Sequence, residues 1–340
     1  MKTERLEISG SLYESGICRA AEILKGGGIV AIPTETVYGL AASAYCEDAV
    51  KKVFAAKGRP QDNPLIVHIS DVDMIKSVTD NFTEEAIKCA EAFWPGPFTM
   101  VLSRGKNIPK SVSAGLDTVA VRMPDHKTAR DIIRKSGIPL AAPSANTSGA
   151  PSPTCAGHVL SDLDGKIDAV VMDGDCTVGV ESTVVTLCTN PPKLLRPGGI
   201  TLEQLREVLP DIEIDPAVLN EPLRDEKVAS PGMKYKHYSP KTETFLVLGS
   251  NDNFVRFVNN KKDALAVCFD EESDFVNTEK ICYGSQLKPE SLAHNLFSVL
   301  RRVDGMDVSA VYVHAPEKSG MGLAVFNRLI RAAAFKVIEV

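Results

Sequence analysis

Apolar positions change their spacing many times along this chain, and a series of short elements follows. In 15–25, Ile17, Ala20, Ala21 and Leu24 recur at helical spacing, and Gly26-Gly27-Gly28 ends the run. Ile29–Ile32 is a short apolar strand that stops at Pro33. Residues 47–56 predict a second helix, Leu65–Ile69 a strand, and 83–93 a helix closed by Trp94-Pro95-Gly96-Pro97. Strands are predicted at Phe98–Leu102 and over 119–124, the latter carrying Arg122, followed by a helix at 126–136 that Gly137 ends. Asp168–Met172 and Val180–Leu187 read as strands, and Leu194-Leu-Arg-Pro-Gly-Gly199 closes the segment.

These elements mix without a regular βαβ rhythm. An α/β fold with a twisted, largely antiparallel or mixed sheet is expected for residues 1–200. Residues 201–243 read as a short helix followed by a linker, with prolines at 210, 216, 222, 231 and 240 and no clear period. Strands at Phe245–Leu248, Ala264–Phe269, Ile281–Tyr283 and Val308–Val313 then alternate with helices at 291–303 and 323–334. That alternation predicts a smaller Rossmann-like α/β domain over 244–340. Gly320-Met-Gly322 is half a dinucleotide fingerprint, but Val325 holds the third glycine's place, so it reads as a turn into a helix. His294 and His314 each stand alone in the sequence and read as surface or core histidines.

At 340 residues the chain is too long for one ordinary core, and two domains are the natural expectation. Its 44% hydrophobic and 24% charged content are those of a soluble globular protein. The net charge of −6 excludes a generic polyanion binder, and residues 1–200 hold 21 basic and 23 acidic side chains, so no basic domain hides there. The eight cysteines show no C-x-x-C spacing and no zinc-like pattern with histidine. They read as reduced core thiols. The charged N-terminus lacks an apolar signal region, and no run of 18 apolar residues exists, so a cytoplasmic protein is expected.

Candidate chemistry centres on 57–69. Lys57 and Arg59 flank Gly58, and Pro60 and Pro64 stiffen the chain on either side of Asn63 before a strand that carries His68. Two cations about a flexible point can converge on one anion; a basic surface turn is the plainer alternative. From Ser136 to Ser161 there is no Asp, Glu, Lys or Arg, and the stretch is rich in Pro, Ser, Thr, Gly and Ala. Such a loop can cradle an anion with hydroxyls and backbone amides, or it is a surface linker. In 230–240, Tyr235 and Tyr238 stand among two lysines and a histidine. They suit closure over a nucleotide, or an aromatic tether. No Walker loop, H-E-x-x-H, G-x-S-x-G or kinase set is present. The inventory of cations, hydroxyls and amides suits phosphates and a small zwitterion, and it lacks an obvious general base or covalent nucleophile.

Several motifs carry a resemblance: Pro33-Thr-Glu-Thr-Val-Tyr-Gly-Leu40, Lys57-Gly-Arg59, Asn63-Pro-Leu65, Pro143-Ser-Ala-Asn146, Ser152-Pro-Thr154, Glu181-Ser-Thr-Val184 and Leu195-Arg-Pro-Gly198. In order and spacing they resemble the YrdC/Sua5 family over about 12–200, and His237-Tyr-Ser-Pro240 with the extra domain resembles its longer Sua5 branch. The resemblance implies a nucleotidyltransferase, threonylcarbamoyl-AMP synthase. It would make threonylcarbamoyl-AMP and pyrophosphate from L-threonine, bicarbonate and ATP, with Mg2+ helping the leaving pyrophosphate. A tRNA threonylcarbamoyl transferase complex would then modify adenosine 37 of tRNA to t6A. It implies Lys57 and Arg59 as catalytic groups. ATP would meet Lys57, Arg59, Asn63, Thr118, Ser144, Asn146, Ser152, Arg196 and Tyr238, and L-threonine would meet Thr36, His68, Arg122 and Ser182. Of these contacts, Arg122 to the carboxylate is physically the easiest. Three rivals stand beside this: a double-stranded-RNA-binding module, a carbamoyl-transfer module of the hydrogenase-maturation type, and a docking role for the C-terminal domain. Direct contact with tRNA is allowed for but not required, and no membrane partner is expected.

Overall fold

Strands in the first half of the chain show little alternation because both of their faces are covered: every residue of Val30–Ile32 and Gly39–Ser43 is buried. The computed structural model describes residues 2–220 and 238–340. They divide into two compact units. The first holds the described residues up to 220 apart from Gly149–Pro151 and Val178–Val180; the second holds those two segments and the residues from 238 onward.

In the first unit the order is β1 (Glu4–Glu7), α1 (Tyr13–Lys25), β2 (Val30–Ile32), β3 (Gly39–Ser43), α2 (Glu47–Lys57), β4 (Ile66–His68), α3 (Glu84–Phe93) and β5 (Phe98–Ser103). It continues with β6 (Thr118–Arg122), α4 (Lys127–Ser136), β7 (Leu140–Ala141), α5 (Ala156–Leu163), β8 (Ala169–Met172), β9 (Thr183–Thr186), β10 (Lys193–Arg196), α6 (Leu202–Val208) and β11 (Glu213–Ile214). The eleven strands form one sheet in the order β1-β8-β2-β3-β7-β4-β6-β5-β9-β10-β11. It is mixed, as expected: β4 runs parallel to β6, whereas β5 runs antiparallel to β6.

Period-two alternation sorts the core. Val30 and Ile32 face α1 and α4 with Ile17, Leu24, Ile132 and Ile133. Ala31 faces the other way, toward Val53 of α2 and Val159 and Leu163 of α5. Further along the sheet, Val67, Met100, Val121 and Val185 pack with Cys89 of α3 and Leu205 of α6. Each fully buried aliphatic side chain contributes about 2 kcal/mol. The opposite face of these same strands carries a much smaller apolar cluster, Ile66, Val101, Ala120, Val184 and Leu195. That face is left for polar side chains.

Local signals set the helix ends. Thr83 caps α3 by accepting from the Ala86 amide, and Thr201 with Gln204 forms a capping box on α6. Gly58 ends α2 in the left-handed conformation, φ 61°. That turn reverses the chain between Lys57 and Arg59. The uncharged stretch 136–161 is not one long loop: it contains β7 and the start of α5, whose Ala156 and Val159 are buried. Likewise 210–220 contains β11 and a single helical turn at Pro216–Val218.

The second unit comprises β12 (Glu243–Leu248), α7 (Asn251–Asn259), β13 (Ala264–Cys268), β14 (Glu279–Cys282), α8 (Pro289–Val303), β15 (Ala310–His314), α9 (Gly320–Ala332) and β16 (Val337–Glu339). Its five strands are all parallel in the order β14-β13-β15-β12-β16. Leu292, Leu296, Val299, Leu300 and Val303 of α8 are buried, as their spacing predicts. Gly320 and Gly322 do open α9, and a Cβ on Gly322 would lie 2.2 Å from the Glu317 carbonyl oxygen. Packing thus accounts for that glycine. His314 is a core histidine but not a solitary one: Nδ1 lies 2.6 Å from Glu272, and the ring stacks 4.3 Å from Phe254.

Candidate functional site

Strand register builds one wall of the site. His68 on β4 lies opposite Arg122 on β6, and Arg122 lies opposite Thr99 on β5. Directly paired residues share a face, so the three side chains form a row beside the small apolar cluster. Thr118 and Ala120 lie on that face as well, at period two from Arg122. Thr118 is partly exposed, at the far end of β6 from Arg122.

The turn between β2 and β3 supplies the next groups. Thr34 Oγ1 accepts from the amides of Thr36 and Val37 at 3.2 Å and lies 2.8 Å from Thr36 Oγ1. Thr36, thus fixed, accepts from Arg122 Nη1 at 2.8 Å. Arg122 Nε donates to the Gly96 carbonyl at 3.2 Å, and Nη2 lies 2.6 Å from Glu35. Arg122 is therefore not an open fork, and three protein groups already hold it. On the other side of Thr99, its hydroxyl lies 2.8 Å from Ser182 Oγ. Arg196 donates from Nε to the Ser182 carbonyl at 3.0 Å and from Nη2 to its hydroxyl at 3.1 Å.

The hydroxyl-rich loop is stitched to β3 and to the end of α2. The Leu40 amide donates to the Pro143 carbonyl and the Ala145 amide to Tyr38, both at 2.8 Å. Lys57, 1% exposed, places its ammonium 2.5 Å from the Ser144 carbonyl and 2.6 Å from that of Asn146. Lys57 is thus the clamp of this loop as well as a candidate phosphate ligand. Arg59 is partly exposed and donates to the Pro64 carbonyl at 3.3 Å. Asn63 and Asn146 are buried and Ser144 is partly exposed. Ser152 is fully buried and donates to Glu181 at 2.5 Å. Behind Ser182, Gly198 approaches so closely that a Cβ there would lie 2.3 Å from the Thr183 nitrogen. This explains the glycine after Arg196-Pro197.

Burial, and secondarily the Arg122 charge, push the His68 imidazole down to about 3, so the ring is neutral at physiological pH. Burial likewise lowers His126. A neutral His68 can donate one hydrogen bond and accept another; here its Nδ1 lies 3.2 Å from the Ile66 carbonyl oxygen.

The residues expected for threonine, Thr36, His68, Arg122 and Ser182, therefore meet in one row, linked through Thr99. Among those expected for ATP, Lys57, Ser144 and Asn146 meet directly, and Arg196 joins at Ser182. Tyr238 belongs to the second unit, where its ring lies 5.1 Å from Phe297; Tyr235 falls outside the described residues. Three groups escaped the sequence reading. Thr99 gave no signal, because only strand register brings it beside Arg122. Glu35 and Glu181 both stood inside motifs already singled out, and a carboxylate between hydroxyls was the available sign. Among the described residues no cluster of three or more His, Cys, Asp or Glu could hold a metal, and no helix is long and apolar enough to cross a membrane.

Comparison with known proteins places this geometry. A family model described as telomere recombination, which covers Sua5, YciO and YrdC, matches residues 22–198. A second, the threonylcarbamoyl-AMP synthase C-terminal domain, matches 200–334. The threonylcarbamoyl-AMP synthase of Pyrococcus abyssi is 44% identical over 94% of this chain and 95% of its own length. That of Bacillus subtilis is 42% identical over the whole of both chains. The crystal structure of P. abyssi Sua5 complexed with L-threonine superposes with a TM-score of 0.89 at 40% identity, covering all of both chains. Motifs, fold and matches over both halves agree: the chain belongs to the Sua5/YrdC family of threonylcarbamoyl-AMP synthases, in its two-domain form.

Proposed function

We infer that this protein makes threonylcarbamoyl-AMP and pyrophosphate from L-threonine, bicarbonate and ATP. The observation that carries this reading is the row His68–Arg122–Thr99–Ser182, reached by Thr36 and Arg196, in a family whose P. abyssi member is seen with L-threonine.

Threonine would lie against Thr36, His68, Arg122 and Ser182, with Arg122 on its carboxylate. Bicarbonate takes a proton from the threonine ammonium and breaks down to CO2 and water. The freed amine adds to that CO2 and gives up a second proton to solvent as it becomes the carbamate. That anion is already a nucleophile, so no protein base is needed when its oxygen attacks the α-phosphate in line. The residues' work is positioning and charge neutralisation. Arg59 and Arg196, with Lys57, would face the phosphates, and Asn63, Thr118, Ser144, Asn146 and Ser152 would hold the nucleotide. The contact of Arg196 with Ser182 supports a reading in which its charge lies between the phosphates and threonine.

Mg2+ fits this site as a companion of the ATP phosphates rather than in a protein cage, since Mg2+ commonly takes one or two carboxylates plus substrate oxygens. When bound it would neutralise charge on the departing pyrophosphate. The product is an activated acyl adenylate, to be consumed by a transferase complex acting on tRNA. The eight free cysteines fit a reducing, cytoplasmic setting. Incubation with isotope-labelled bicarbonate, threonine and ATP should place the label in an adenylate. Label that never enters a nucleotide product would refute the reading.

A further inference from the structure

Glu35 is a group in this site that no binding role yet explains. It is 6% exposed, and its Oε1 lies 2.6 Å from Arg122 Nη2. Yet among the described residues neither Glu35 oxygen, nor Arg122 Nη2, has a hydrogen-bond partner of good geometry. The charges touch while their hydrogen-bonding directions stay unused. A buried carboxylate with open acceptor sites is costly to keep, and a pair that existed only to lock Arg122 would be expected to align.

Chemistry identifies what would complete it. An ionised carboxylate offers about four acceptor sites, and an ammonium offers three donors and no acceptor. Arg122 spends Nε on Gly96 and one Nη1 hydrogen on Thr36, which leaves guanidinium donors on the side of Glu35. An α-amino acid carries its carboxylate and its ammonium on one carbon. A guanidinium and a carboxylate held 2.6 Å apart therefore present the complementary pair of charges. Together they are neutral, as the zwitterion is.

We propose that Glu35 binds the substrate ammonium, and that Glu35 with Arg122 makes the site selective for a zwitterionic α-amino acid. This rests on the assignment of Thr36, His68, Arg122 and Ser182 to threonine. Glu35 thereby fixes the nitrogen that becomes the carbamate. A positioning residue that acted only through Arg122 would behave differently, and the two are separable.

The experiment measures binding, by calorimetry on the full chain without ATP, of L-threonine and of its analogue with a hydroxyl in place of the amino group. Wild type and Glu35→Gln are compared, with Glu35→Asp as the conservative variant and thermal melting as the check on folding. Loss of a hydrogen bond between charged groups should weaken L-threonine roughly tenfold to a hundredfold in Glu35→Gln. The analogue's affinity should change much less, and Glu35→Asp should restore part of the preference. Equal weakening of both compounds, or of neither, would overturn the proposal while leaving the threonine site intact. Wild-type protein that binds neither compound would overturn the threonine site itself, and this proposal with it. Should Glu35→Gln fail to fold, the wild type still decides: equal affinity for the two compounds contradicts an ammonium-binding carboxylate, and a clear preference for L-threonine supports it.

Discussion

The Lys57 ammonium sits 2.5 Å from the carbonyl oxygen of Ser144, a residue 87 positions further along the chain. One side chain at the end of α2 thus fixes the loop that carries the hydroxyls and amides of the proposed nucleotide site. Lys57→Met should leave the Ser144 and Asn146 carbonyls without that donor and cost about 2–4 kcal/mol of stability. Denaturant unfolding checks this; an unchanged midpoint would mean that the ammonium does not hold the loop.

Arg59, partly exposed beyond the Gly58 turn, should behave in the opposite way. Arg59→Ala should retain the melting temperature of the parent and lose at least about a hundredfold in adenylate formation, the scale of removing one positioned charge from a transition state. A folded variant with near-normal turnover would remove Arg59 from the phosphate site.

His68 makes a prediction about acid. Its folded-state value, about 3, lies below the ordinary 6.5. Between those values the unfolded chain binds a proton that the native chain does not, so stability is full above pH 6.5 and falls as pH drops. The slope from this one group is at most about 1.4 kcal/mol per pH unit. The stability of wild type relative to His68→Asn, read from melting curves, should fall as pH drops from neutral into the mildly acidic range. A constant offset would contradict the assignment.

Gly198 tests the backing of Ser182. A Cβ there would lie 2.3 Å from the Thr183 nitrogen and 2.4 Å from the Glu181 carbonyl oxygen. Gly198→Ala must therefore push the 181–183 backbone aside, at a cost of about 1–3 kcal/mol. Because Ser182 moves with it, KM for threonine should rise more than KM for ATP in steady-state kinetics.

The parts legible in the sequence were those with local causes. Helices α1 and α8 follow from apolar spacing, and the Lys57–Arg59 turn from Gly58. The motifs also supplied most of the residues that the candidate site brings together, because each motif is a contiguous piece of chain. What the sequence hid was set by register. Thr99 reaches Ser182 and faces Arg122 only because β5 lies between β6 and β9, and no spacing in the chain announces that. Burial was hidden too: Lys57 looked like a cation offered to phosphate, and its almost complete enclosure by loop carbonyls is a tertiary fact. Helix α5 was masked by the lack of charge around it, since its short buried face needs only Ala156, Val159 and Leu163.

The most direct test of the catalytic assignment is pyrophosphate release from ATP by the purified protein with Mg2+. L-threonine and bicarbonate are each supplied or withheld, and L-serine serves as control. Release that requires threonine and bicarbonate together is the predicted result. Release from ATP alone, or none in any mixture from well-folded protein, would contradict it.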